Sequence, residues 1–182
     1  MKRTLVLLAC VLALSLGATA QQQLTFSDLP LVGTPTLMPN GYGGLNWSNI
    51  FYVDPSQWSG AGPGYKDGLI EGRLARQDVA FVGGKACRLL HEYCFGSISS
   101  AGGPTSVQAV SAVVAGGFGT TSITVTAYNN GRYVGSSFYT LGTQMQILYF
   151  PSSWGSITQL VLQAPDGGDL VLYDLSAYLL GG

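Results

Sequence analysis

Charge is scarce in this chain. Eight Lys and Arg and nine Asp and Glu make up 9% of 182 residues, against roughly 25% in an average soluble domain. A nucleic-acid binder needs a basic patch, and this chain has none to offer. Docking on an anionic membrane needs a polybasic segment, which is missing too. Histidine is reduced to His91. A Ser-His-Asp triad would have to run through it, and no Gly-x-Ser-x-Gly elbow accompanies it. A zinc centre needs more nitrogen and sulfur ligands than are present, so no metal or catalytic residue is assigned. Glycine, by contrast, is plentiful at 26 residues but has no period, which excludes a collagen-like chain.

The one long hydrophobic run lies at the start. Lys2 and Arg3 precede apolar residues 5–16, and Ala18-Thr19-Ala20 follows. A short basic segment, an apolar stretch and small residues before a cut are the parts of a secretory signal peptide. The run is short for a membrane span. The expectation is a leader over 1–20, cleaved before Gln21, and a single exported domain over 21–182. Leu7-Leu8-Ala9-Cys10 resembles a lipidation box, but the apolar stretch before Cys10 is brief and continues past it. Without Lys2 and Arg3 the chain keeps six basic and nine acidic residues.

Cysteine is scarce as well. Three are present, and two, Cys87 and Cys94, lie beyond the leader. An even pair in an exported protein is expected to form a disulfide. The closed loop is short, so its chain-entropy gain is about 2–3 kcal/mol. His91 between the two leaves a metal site or reactive thiols as the alternative.

Beyond the leader no long 3.6-residue rhythm occurs. Short apolar or alternating runs are separated by turn residues. Strands are expected over 107–114, 122–128, 132–141, 144–150, 157–164 and 170–175. In 122–128, Ile123, Val125 and Ala127 share one face, and Thr124, Thr126 and Tyr128 the other. Asn129-Asn130-Gly131 then joins two alternating runs, a strong hairpin signal because the turn residues need positive φ. Such spacing predicts an all-β chain, an antiparallel β-sandwich or jelly roll. Residues 85–93 read as one helical turn or a disulfide-closed loop. Between 42 and 65 lie Tyr42, Trp47, Phe51, Tyr52, Trp58 and Tyr65, interleaved with glycine and proline. That stretch predicts a long ordered aromatic- and Gly-rich N-terminal loop region with one short strand over 50–53.

Several motifs carry a family resemblance. Phe26-Ser27-Asp28-Leu29 and the run 39–52 around Gly41-Tyr42-Gly43-Gly44-Leu45-Asn46-Trp47 resemble the opening of a widespread group of secreted fungal and bacterial proteins with a "GYxGLxWxNF" element. Gly64-Tyr65-Lys66-Asp67-Gly68, Val79-Ala80-Phe81, the hairpin 123–135 and the terminal Val171-Leu172-Tyr173-Asp174-Leu175 are similar to later elements of that group. The loop holding Cys87 and Cys94 departs from the pattern. The resemblance implies a galactose-binding-like jelly roll, similar in architecture to carbohydrate-binding modules, with no assigned enzyme activity. It also implies a place for a structural calcium ion between the first and last strands, where Asp28 and Asp174 lie. Calcium wants six or more oxygen ligands, and only two are in view, so no cofactor is assigned. Asp174 inside an apolar strand needs a calcium ion, a basic side chain or backbone donors.

Sugar binding calls for aromatic rings to lie on pyranose faces and polar side chains to read hydroxyls. Trp58, Tyr65, Tyr52, Trp47 and Asp67, with Asn46, Asn49 and Gln57, supply that combination. The opposing reading makes Trp47, Phe51 and Tyr42 pins that hold the loop to the core. Asn46-Trp47-Ser48 is a glycosylation sequon. A glycosidase needs two facing carboxylates, and Asp67 with Glu71 is the nearest approach among the aromatics, both in turn-like settings. The reading is therefore an exported, monomeric, non-enzymatic protein. Its partner is an extracellular polysaccharide or a cell-surface or host protein, and a role as an apoplastic effector is one version of either. A structural wall protein and a glycoside hydrolase are the alternatives.

Overall fold

A computed structural model describes residues 21–58, 78–82, 94–101, 106–117, 119–164 and 170–180. The leader, Tyr65, Asp67, Cys87, the 85–93 turn and the Pro165 turn lie outside the described residues, and of Cys94 only the backbone is described. The strands in chain order are β1 Gln21–Leu24, β2 Thr36–Leu37, β3 Leu45–Ser48, β4 Ile50–Val53, β5 Val79–Val82 and β6 Cys94–Ser100. They continue as β7 Ser106–Gly116, β8 Thr121–Asn129, β9 Arg132–Leu141, β10 Gln146–Tyr149, β11 Gln159–Ala164 and β12 Leu170–Leu180.

Two antiparallel sheets form a β-sandwich of jelly-roll type. Sheet I runs β10-β7-β12-β5-β4-β2, with β1 also paired to β12, and sheet II runs β3-β6-β11-β8-β9. Alternation explains the layering, because successive strand residues point to opposite faces. In β8, Ile123, Val125 and Ala127 are buried between the sheets; in β11, Leu160, Leu162 and Ala164 are. Leu170, Leu172, Val114, Ala112 and Leu148 answer them from sheet I. β12 keeps Leu172 and Leu175 both in this core despite their odd separation, because a bulge falls between Leu172 and Asp174. Tyr173 faces outward with Val171, two residues before it, in a second cluster with Val53, Val79, Phe81 and Ala115.

The Asn-Gly hairpin forms as expected. Asn130 and Gly131 have φ of 49° and 76°, the positive pair a type I′ turn demands. The stretch 42–53 holds more strand than the expected loop. Leu45–Ser48 is the edge strand of sheet II, and Ile50–Val53 belongs to sheet I. Asn49 alone carries the chain from one sheet to the other, at φ 53°, a conformation asparagine tolerates better than most residues. β6, rich in serine, and β1, rich in glutamine, are strands the residue pattern does not announce.

The buried acid Asp174 accepts a hydrogen bond from the side-chain amide of Gln23 in β1. Asp28 accepts one from the Tyr42 phenol at 2.6 Å. Burial and the neighbouring Asp28 carboxylate push the Tyr42 phenol well above its ordinary pKa. Among the described residues no three His, Cys, Asp or Glu side chains converge as a metal site would require.

Candidate functional site

The outward face of sheet II is built by the residues that alternate with its core. β8 contributes Thr124, Thr126 and Tyr128; β11 contributes Gln159, Val161 and Gln163. β6 adds Phe95, Ser97 and Ser99, opposite Gln163, Val161 and Gln159. β3 adds Asn46 and Ser48 at one edge. β9 adds Ser136 and Phe138 at the other, opposite Thr126 and Thr124.

Tyr133 reaches this face only because β9 is irregular. Residues five apart, like Tyr133 and Phe138, point to opposite faces of a regular strand. A bulge opposite Ala127 and Tyr128 brings Tyr133 against Tyr128, while Val134 packs toward the core. The Tyr128 and Tyr133 rings meet edge to face at 6.3 Å and 78°. On the inner side of the bulge, Trp154 packs against Gly135, where even a Cβ would lie 2.5 Å from the indole nitrogen. Further along β9, the Tyr139 phenol donates to the Tyr149 carbonyl at 3.0 Å. Its burial raises the phenol pKa. That bond ties the edge of sheet II to β10 of sheet I.

Across the described strands this surface is almost free of charge. In the five strands Arg132, at the hairpin end, is the only charged side chain. Phe138, Tyr133 and Phe95 are 68%, 65% and 51% exposed, so their rings are available rather than buried in support of the sheet. Between them lie hydroxyl and amide groups, Thr126 and Ser136 being within 3.5 Å of each other. Neighbouring strands are about 4.8 Å apart, so the five-strand face is about 19 Å across. The five strands themselves carry no carboxylate and no histidine. The rings supply apolar planes and the amides and hydroxyls supply paired donors and acceptors.

The aromatics singled out from the sequence lie elsewhere. Trp47 and Tyr52 are each 5% exposed and belong to the core between the sheets. Trp47 packs with Phe26 and Tyr42 and donates from its indole to the Tyr42 carbonyl at 3.0 Å. These two are therefore core residues and offer no face to a ligand. Trp58 is half-buried on the outside of sheet I, stacked on Phe81 at 6.2 Å and 15°. Phe81 stacks in turn on Phe51. Asn46 stands at the β3 edge of the sheet II face, its amide 3.4 Å from the Ser100 carbonyl. Phe95, Tyr133 and Phe138 are additions that sequence reasoning did not reach. The alternation of 122–128 already placed Thr124, Thr126 and Tyr128 together, but the bulge hid the odd-spaced partner Tyr133.

No family model matches this sequence, and no curated protein does. Solved structures do show similar chains. One is the family 32 carbohydrate-binding module from C. perfringens NanJ, in complex with galactose. It is 14% identical, with a TM-score of 0.39, over 79% of this chain and 99% of that one. Another is TmCBM61 in complex with β-1,4-galactotriose, at 15% identity and a TM-score of 0.35 over 79% of this chain and 95% of that one. A family two carbohydrate esterase from Cellvibrio japonicus is similar at 11% identity and a TM-score of 0.34, over 90% of this chain. This chain spans 36% of the esterase's length. The sandwich architecture rests on the strand pairing described above.

Proposed function

We propose that the protein is exported and binds carbohydrate outside the cell, without catalysis, on the outward face of sheet II. One observation carries this reading. A broad sheet face presents exposed Phe138, Tyr133 and Phe95 among hydroxyl and amide side chains, and the single charged side chain of its five strands, Arg132, stands at the hairpin end. Rings that lie on sugar faces and neutral groups that exchange hydrogen bonds with sugar hydroxyls are what such a ligand needs. The leader over 1–20 supports the extracellular setting, and a Cys87–Cys94 disulfide and a glycan on Asn46 belong to the same reading. Service in a cell wall, or action as an effector on a foreign one, follows from the same binding.

The test is retention of residues 21–182 on insoluble chitin, cellulose, xylan and β-glucan. Retention on at least one polymer is expected. Phe138→Ala should weaken it, and Trp58→Ala, on the opposite sheet, should leave it unchanged. Retention on none would favour a protein partner over a glycan. Retention lost in Trp58→Ala but kept in Phe138→Ala would move the site to sheet I.

A further inference from the structure

Resting on that reading, we infer that the ligand is the interior of an extended, neutral polysaccharide chain rather than a chain end or an acidic glycan. Three features of the sheet II face lead there. The first is shape. The five described strands make a continuous sheet face, and two cavities among the described residues lie inside the sandwich rather than on it, lined mainly by core side chains such as Leu160 and Leu175. Neither cavity offers a terminal sugar a pocket on this face, whereas a chain lying along the strands needs none.

The second feature is the spacing of the rings. Tyr133 stands beside Tyr128, and Phe138 lies opposite Thr124, which is four residues from Tyr128 on β8. At about 3.3 Å per residue the two ring positions are about 13 Å apart. One sugar ring cannot touch both, so both are used only by a ligand several residues long. The bulge in β9 is what creates this second contact, since regular pairing would send Tyr133 to the core side. The third feature is charge. Within the five strands a carboxylate or sulfate would lose water and find only Arg132, at the hairpin end; an uncompensated charge is costly to desolvate. An amino sugar would find no carboxylate partner within those strands.

The experiment compares polymers and their fragments. Hydroxyethylcellulose, linear xylan, β-1,4-galactan and β-1,3-glucan are cast in native gels, with carboxymethylcellulose and polygalacturonate as charged counterparts. The polymer that retards the protein is then followed as its hexa-, tetra-, di- and monosaccharide by titration calorimetry. Affinity should rise at least about tenfold from disaccharide to hexasaccharide, and the charged polymers should not retard the protein. Tyr133→Ala and Phe138→Ala should each lower hexasaccharide affinity at least about tenfold while leaving monosaccharide binding little changed. A monosaccharide that binds as well as the hexasaccharide, or a charged polymer that binds as well as its neutral counterpart, overturns this inference and leaves carbohydrate binding standing. Failure of every polymer and every fragment to bind removes the reading beneath it and the inference with it.

Discussion

Gly135 is the residue on which the shape of the β9 edge turns. The Trp154 indole lies against its backbone, with a Cβ built at Gly135 falling 2.5 Å from the indole nitrogen. Trp154 itself is buried and stacks on Phe150 at 6.0 Å. Any side chain at Gly135 must therefore push a packed indole, which has no free space to enter. Gly135→Ala is expected to destabilise the protein by about 1–3 kcal/mol, in the range of overpacked cores. Gly142→Ala is the matched control, since its Cβ would meet nothing nearer than 4.0 Å and needs no positive φ. Thermal unfolding of both variants checks this; equal melting temperatures would show that Trp154 does not depend on the glycine.

At the level of strands, what could be read beforehand depended on whether a strand's own residues explain its pairing. The β8–β9 hairpin announces itself, because alternation and Asn130-Gly131 are local signals. β6 does not, because serines and Gly96 read as a turn until β3 and β11 flank them. The β9 bulge is equally silent, since it answers to Trp154 and the core, far away in sequence. That is why Tyr128 was legible as outward while its neighbour Tyr133 was not, and why Trp47 was legible as a pin on the core while the burial of Tyr52 was not. A second pairing effect joins β4 and β5. Val53 faces Val79, so the register carries Asp54 toward Asp78 just beyond the strands, both buried. Asp54 is held by the Ser56 amide at 2.8 Å and the Ser56 hydroxyl at 2.6 Å. Burial first, and then the Asp54 charge, raise the Asp78 carboxyl above its ordinary value of 3.8. The folded protein thus holds that proton to higher pH than the unfolded chain does. Stability from this group must fall as pH rises from 3.8 through the raised value, and stay low above it. Asp78→Asn is expected to flatten the stability profile across that acid-to-neutral window. Urea unfolding at a series of pH values measures it, and an unchanged slope would show that Asp78 is not the group responsible.

For the molecule as a whole, scarcity of charge and the character of the sheet II face are one fact seen at two scales. A chain with 9% charged residues must still present a wetted surface, and here hydroxyls and amides take that part on sheet II. Long-range attraction is then weak, and association must rest on contact: rings against apolar sugar faces and hydrogen bonds at short range. Salt distinguishes the two kinds of force. Raising ionic strength from about 0.1 M to about 1 M shortens the screening length from about 10 Å to about 3 Å, which would strip affinity from a binder steered by charge. Retention on a neutral polysaccharide is expected to change less than about twofold over that range, because Arg132 is the single charged side chain in the five strands of sheet II. The same range should not rescue binding to carboxymethylcellulose, since the obstacle there is the unpaired carboxylate at contact rather than repulsion at a distance. A steep fall in retention with salt would place the contact on the charged parts of the chain, away from β8 and β9.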